Sequence, residues 1–449
     1  MPSPSNPGNG GSIMTTRMIA VIGAGPAGLE AALAEADRGN AVVLIDAASQ
    51  LGGQYWRHLP SSWGSMSDKE DAVAQRIFDR VLKSPHITWI SQAHVWQAEK
   101  IGEDFHIFYI KEGVEAKVVA QKVVLATGAY DRTLPIPGWT LPGIMTPGAA
   151  QAMIKTHGVL VGQRIVVAGT GPFLLPVATG LAEAGATIVG FFEYNNPLRW
   201  VLNLHGLILN PAKVVEALKY FSLLRKNKIS IHFRKRVESI DSKSAFVSGK
   251  RVDADIVAIG WGFTPDLSIA SILGAQLRRS SDGTITVKVD SHQQTSIKGL
   301  FAAGESTGIG GSVLARVEGR IAGGGGGRIK RWRAQVFARG LQRVYPVPVD
   351  WQSLLESSTT VCRCEEVTLG DICDSITSLG AENGRTAKLF TRAGMGLCQG
   401  RVCGRNVSEI VAAQTKSPVS ENEAISASQR PLSGPISLGE LGDGLAKGL

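Results

Sequence analysis

The chain has 449 residues, too long for one ordinary domain of roughly 100–200 residues. Hydrophobic residues at 44% and charged residues at 19% are globular proportions and exclude a fibrous or wholly disordered chain. The formal net charge of +9 is dispersed apart from short runs such as Arg328–Arg333 and Arg225–Arg236, which argues against nucleic-acid binding and suits docking of an acidic partner.

Residues 1–16, rich in Pro, Ser, Gly and Asn and without an apolar core, read as a disordered tail rather than a signal peptide. Met18–Ile22 is a short apolar strand. It runs straight into Gly23-Ala24-Gly25-Pro26-Ala27-Gly28 and then a helical stretch from Leu29 to Asp37. In Gly-x-Gly-x-x-Gly the first glycine allows the tight turn and the second lets the backbone approach a pyrophosphate. The third lets helix and strand pack closely, with the phosphate at the helix N-terminus. A second strand, Ala41–Ile45, ends in Asp46, spaced to accept hydrogen bonds from ribose hydroxyls. Gly52-Gly53-Gln54 follows as a loop, and Val123–Gly128 reads as a buried strand ending in a Thr127-Gly128 turn.

The stretch Ile165–Phe192 carries Glu183 as its only charge and exceeds the roughly 20 residues of a membrane span. It nevertheless divides into an apolar run, a glycine turn, a helix and a second apolar run, which predicts a buried βαβ unit and no transmembrane segment. Its turn, Gly169-Thr-Gly171-Pro-Phe-Leu174, repeats the first glycine motif with leucine in the third place, and its second strand ends at Glu193. Leu174 is expected to push the helix outward. Gly169, Gly171 and Glu193 are therefore candidate contacts for NAD(P) or another nucleotide in a site that is degenerate, differently occupied or empty, and a mainly structural role is preferred. Ala258–Pro265 reads as the return crossing to the first domain, and Gly299–Glu305 as another strand ending in Gly304-Glu305. Gly323–Gly327 is costly inside a helix, about 1 kcal/mol per glycine against alanine, and marks close packing or a helix end.

All five cysteines lie between Cys362 and Cys403, which argues against a disulfide framework and for a reducing compartment. Cys362-Arg-Cys364 and Cys398-Gln-Gly-Arg-Val-Cys403 supply four thiolates, a complete ligand set for zinc or an iron–sulfur cluster. Zinc more often takes Cys-x2-Cys hairpins, so a 2Fe-2S cluster is favoured. Gly394, Gly396 and Gly400 free backbone amides to approach sulfur. Thr368 is a plausible N-cap of a helix reaching Ser378, and Cys373 on that helix reads as a small core residue outside the ligand set.

The glycine motif, Ala-Thr-Gly and Ala-Gly-Glu together resemble the two-dinucleotide-binding-domain, glutathione-reductase-like flavoproteins. The resemblance implies an α/β fold with FAD in the first site. It places FAD against Gly23, Ala24, Gly25, Pro26, Ala27, Gly28, Asp46, Gly53, Gln54, Val95, Thr127, Gly128 and Gly304, with Glu305 on the ribityl chain. Members that reduce disulfides carry redox cysteines in these domains; here there are none before Cys362, which excludes that chemistry within the chain.

Adding Ala126–Arg132, Pro137–Gly143 and the Cys-Arg-Cys-Glu-Glu module, the chain resembles the FAD-containing alpha subunits of heteromeric opine oxidases, D-hydroxyproline dehydrogenases and hydrogen cyanide synthases. The match runs from about Arg17 to Ile410, and the C-terminal module resembles the small helical bacterioferritin-associated-ferredoxin-like 2Fe-2S fold. The implied role is electron transfer from a D-amino-acid-oxidase-like partner chain. Further implied candidates are a small 2Fe-2S ferredoxin-like subunit, FMN at a subunit interface, and a cytoplasmic location with a peripheral seat at the inner membrane. The alternatives are a self-contained NAD(P)H-dependent ferredoxin reductase and a zinc-stapled scaffold with structural FAD. The expected organisation is an FAD domain at 17–135 and 263–335, an inserted nucleotide-binding-like domain at 136–262, a linker at 336–360, the 2Fe-2S domain at 361–414 and a tail at 415–449.

Overall fold

The computed structural model describes residues 18–59 and 69–446; the tail expected at 1–16 lies outside them. The first sheet is parallel and five-stranded, in the order Leu300–Ala302, Lys122–Leu125, Met18–Ile22, Ala41–Ile45, Ile87–Ile90. Its central strands are unbroken apolar runs because helices or a further sheet cover both faces, as a parallel sheet requires. One face carries the helices Pro26–Ala36 and Ser312–Ala322, which pack directly on each other. A Cβ on Gly319 would stand 1.9 Å from the Ala27 carbonyl oxygen, and one on Gly323 2.6 Å from that of Ala31. Gly323 therefore both ends its helix and admits the neighbouring one. The other face is covered by the antiparallel strands Ala93–Ile101, Asp104–Lys111 and Val114–Ala120.

The second parallel sheet runs Ile231–Phe233, Thr187–Glu193, Arg164–Gly169, Ile256–Gly260, Ile144–Met145. The strands Arg164–Gly169 and Thr187–Glu193 flank the helix Leu174–Glu183, the βαβ unit expected of the apolar stretch. The chain leaves the first sheet along Ala129–Asp131 and returns along Phe263–Pro265, and these two crossings pair antiparallel. Among the described residues, no helix is long and apolar enough to cross a membrane.

Three features depart from the sequence expectation. The helix Arg328–Val344 runs unbroken through the boundary expected at 335/336, and Trp351, within the supposed linker, is 2% exposed. The supposed tail forms the helices Glu421–Ser428 and Leu438–Ala446, and the first of these packs on the cysteine module. The buried residues of that module, including Cys362, Cys403 and Val407, continue one core with Val166 and Trp261 of the insertion and with Leu134 just before it. Trp351 and the residues around Ser433 look like linker and tail locally; only long-range packing gives them their structure.

Candidate flavin cavity and cysteine centre

The first glycine motif folds as its residue types demand. Gly25 is the extended N-cap, Pro26 takes the first helical position, and Asp46 accepts hydrogen bonds from the backbone of Ala24 and, at 2.6 Å, of Ala48. Burial raises the Asp46 carboxyl above its ordinary value. The loop opens into a cavity of about 2100 Å³. Gly23, Gly25, Pro26, Ala27, Asp46, Gly53, Gln54, Val95, Thr127, Gly128, Gly304 and Glu305 all line it, whereas Ala24 and Gly28 stand behind the wall. Glu305 accepts from the backbone of Gly311 at 2.8 Å and Gly310 at 3.2 Å, and burial pushes its carboxyl up to about 7.

Sequence reasoning missed Glu318. It is 2% exposed and accepts from Gly304 N, Thr307 Oγ1 and Arg331 Nε, which fixes the turn that presents Glu305. No local motif marks it, because its partners lie 11 to 14 residues away, beyond the reach of a helical or turn pattern.

This cradle fits an extended dinucleotide. An alanine Cβ at Gly25 would meet no atom of the chain within 4 Å; that open volume at a helix N-terminus is where a pyrophosphate approaches. FAD would lie along Gly23–Gly28, with Asp46 at its ribose and Gly304-Glu305 beyond the pyrophosphate.

The second loop differs for a stated reason. A Cβ at Gly28 in the first loop would fall 1.7 Å from the Gly23 carbonyl oxygen, so Leu174 cannot take the corresponding place. The helix instead begins at Leu174, two residues later than its counterpart at Pro26, and the leucine is buried in the core. Gly171 lines the cavity while Gly169 and Glu193 do not. Glu193 is 4% exposed and accepts from Gly171 N at 2.9 Å, Asn195 N at 2.8 Å and Thr170 Oγ1 at 3.2 Å, tying the loop to itself.

Burial pushes the Glu193 carboxyl up to about 7 from an ordinary 4.5. A carboxyl raised on folding contributes stability that is complete below the unfolded value and lost as pH climbs through the folded one. Glu193→Gln should therefore flatten the loss of thermal stability between about pH 5 and about pH 8, by at most a few kcal/mol. Equal slopes for variant and wild type in thermal scans would contradict a protonated Glu193.

Across the flavin cavity the cysteine module closes on itself. Thr368 caps the helix Leu369–Thr377 in a capping box with Asp371, and Cys403 opens the helix Gly404–Thr415. The side chain of Cys403 lies beside those of Cys362 and Cys398, and that of Cys398 beside that of Cys364. The four sulfurs thus form a chain of contacts. Among the described residues, no three His, Cys, Asp or Glu side chains gather as a single-ion site. Gly394 N donates to Cys362 Sγ at 3.4 Å, as expected of that glycine. The neighbouring Cys403 holds the Cys362 thiol down to about 6 and the Cys398 thiol to about 4, while Cys403 and Cys364 are themselves pushed up. Two of the four thiols thus favour the thiolate form, and four sulfurs brought together fit a cluster ligated by four cysteines. Cys373 is half-buried rather than in the core and lies outside the chain of sulfurs.

The module is tied to the flavin side by groups that no motif announced. Arg132 reaches both Glu409 carboxylate oxygens at 3.3 Å, and Arg405 Nε and Trp351 Nε1 donate to the same carboxylate at 2.7 and 3.0 Å. Burial alone would raise Glu409, but the two arginines outweigh it and hold its carboxyl below the usual range. Tyr130, two residues after Gly128 and on the cavity wall, donates to the Arg401 carbonyl at 3.2 Å, within the Cys398–Cys403 loop.

Residues 17–333 match the pyridine nucleotide-disulphide oxidoreductase family, and residues 360–413 match the BFD-like [2Fe-2S] binding domain. The chain is 30% identical to the A subunit of opine oxidase from Agrobacterium tumefaciens, over 89% of this chain and 86% of that one. It is 29% identical to the hydrogen cyanide synthase subunit HcnB of Pseudomonas aeruginosa, over 85% and 90%. Among solved structures, L-proline dehydrogenase from P. horikoshii superposes with a TM-score of 0.66 at 18% identity, covering 95% of this chain and 79% of that one; at that identity the likeness shows the fold alone. FAD and a 2Fe-2S cluster are the cofactors these families bring, and the cradle and the four sulfurs fit them.

Proposed function

The chain belongs to the pyridine nucleotide-disulphide oxidoreductase family, and we propose that it is the electron-transfer subunit of a heteromeric dehydrogenase or oxidase. Its partner, a D-amino-acid-oxidase-like subunit, oxidises the C–N bond of an amino acid, imino acid or opine. The observation that carries this reading is the adjacency of the two centres: Tyr130 belongs to the flavin cavity wall and is hydrogen-bonded to the loop between Cys398 and Cys403.

Bound FAD supplies a two-electron acceptor that can release electrons singly, and a 2Fe-2S cluster carries one at a time. The chain's own residues do the positioning. Gly23–Gly28 and Asp46 seat the dinucleotide, Glu305 holds the loop facing it, and Cys362, Cys364, Cys398 and Cys403 ligate the cluster. Arg132, Arg405 and Glu409 keep the two sites in register.

A partner has a surface to sit on. Leu198, Val201, Leu202, Leu204 and Ile208 are each at least half exposed, and residues 196–236 contain nine Lys and Arg against Glu216 alone. An apolar ridge rimmed with cations suits a subunit of complementary acidic rim. The resemblance to HcnB and to the opine oxidase chain supports the heteromer and an amine-type substrate. A small 2Fe-2S ferredoxin-like subunit, FMN at the subunit interface and a cytoplasmic, inner-membrane-peripheral location complete the reading.

Glu193 turned onto its own loop and the late helix start at Leu174 support a second site that does not feed the flavin. Anaerobic mixing of the flavin-loaded chain with NADH or NADPH should leave the flavin oxidised. Prompt bleaching by either would contradict the relay and favour a self-contained NAD(P)H-dependent reductase.

A further inference from the structure

The half-buried Arg430 comes from the segment that follows the helix Glu421–Ser428. Its guanidinium reaches back over the cysteine loop, with Nη2 3.3 Å from where a Cβ on Gly400 would stand and 3.7 Å from one on Gly404. These two glycines flank Cys403, and larger residues there would hold the arginine off. Its Nε is buried without a hydrogen-bond partner. The ionisable groups that act on Arg430 most strongly are Arg401, Tyr130, Cys398 and Cys403. A guanidinium with a buried, unpaired Nε is costly unless an anion lies near, and the cysteine loop it lies over supplies one.

The segment is pinned where this contact requires it. Arg401 Nη2 donates to the carbonyls of Leu432 at 3.2 Å and Ser433 at 2.8 Å. Ser433 N donates to the Trp96 carbonyl at 2.9 Å, and its hydroxyl to that of Val95. Residues 429–433 therefore run as a strap from the cysteine loop to the wall of the flavin cavity.

We propose that Arg430 is a positioning cation of the redox centre, which raises the reduction potential of the cluster held by Cys398 and Cys403, and that the strap exists to hold it there. The proposal rests on the reading of the four cysteines as 2Fe-2S ligands. Each electron that such a centre gains adds one negative charge, so a fixed cation beside it favours the reduced state.

The test is a redox titration of the purified holoprotein followed by electron paramagnetic resonance, in wild type, Arg430→Gln and Arg430→Lys, with iron and sulfide measured first. Wild type lacking iron and sulfide would defeat the cluster reading itself, a different failure from those below. With the cluster present, Arg430→Gln should shift the midpoint to more negative potential, and Arg430→Lys should restore most of it. If Arg430→Gln loses the cluster while Arg430→Lys keeps it near the wild-type midpoint, the charge is likewise what matters. An unchanged midpoint in Arg430→Gln, or loss of the cluster from both variants, would overturn the proposal in favour of simple packing.

Discussion

Gly25→Ala is expected to yield a folded protein that cannot hold its flavin, whereas Gly28→Ala damages the fold itself. The two glycines sit three residues apart in one motif, yet their surroundings are opposite. A Cβ at Gly25 meets nothing within 4 Å, and Gly25 has an ordinary extended backbone at φ −75°, so alanine costs the empty chain nothing. It would, however, occupy the space through which the pyrophosphate reaches the helix N-terminus. A clash of that kind, about 1–3 kcal/mol, weakens binding by about 5–150-fold. At Gly28 the Cβ would lie 1.7 Å from the backbone oxygen of Gly23, and no side-chain motion relieves a backbone clash. Thermal unfolding and flavin content measured together separate the two. Gly25→Ala should keep the melting temperature of the flavin-free protein and lose flavin, and Gly28→Ala should lose both. Full flavin retention by Gly25→Ala would mean that the dinucleotide lies elsewhere.

Cys403→Ser carries the second large effect. Cys403 is 1% exposed and stands between Cys362 and Cys398 at the start of the helix Gly404–Thr415. Replacing its soft sulfur with oxygen removes a direct ligand, so the loss of cluster affinity should be at least the about 10–100-fold seen when mere outer-shell partners are removed. Cys373→Ser is the control: that thiol stands outside the sulfur chain and should leave iron and sulfide unchanged. Visible absorption with iron and sulfide analysis checks both variants. A full cluster in Cys403→Ser, or its loss in Cys373→Ser, would redraw the ligand set.

What the sequence made legible follows from how locally each feature is determined. The strand–loop–helix around Gly23–Gly28, the ending of the second strand in Asp46 and the capping of a helix by Thr368 each depend on residues a few positions apart, and the structure shows all three. The two cysteine pairs were legible for the same reason, as was the role of Gly394 beside sulfur. That leucine could not sit where the third glycine does was foreseeable, but the outcome, a helix starting two residues later with Leu174 buried rather than a helix pushed outward, depends on the core that receives the leucine.

Other features lay beyond local reading. Arg132 with Glu409, and Arg430, derive their roles from partners in distant parts of the chain, and Glu318 from Gly304, Thr307 and Arg331, 11 to 14 residues away; nothing adjacent to them signals it. Residues 415–449 carry the Ser, Gly and Pro content of a tail, yet the helix Glu421–Ser428 and Ser433 find partners on the module and on the strand Ala93–Ile101. Composition describes what a segment could bury alone. It is silent on what a neighbour offers.

The central claim is that one chain holds a flavin and, beside it, a one-electron iron–sulfur centre. Flavin, iron, sulfide and zinc analysis of the purified chain, with an electron paramagnetic resonance spectrum after chemical reduction, tests it most directly. The expected result is FAD together with equal amounts of iron and labile sulfide and the signal of a reduced 2Fe-2S cluster. Zinc without sulfide, and no such signal, would contradict it.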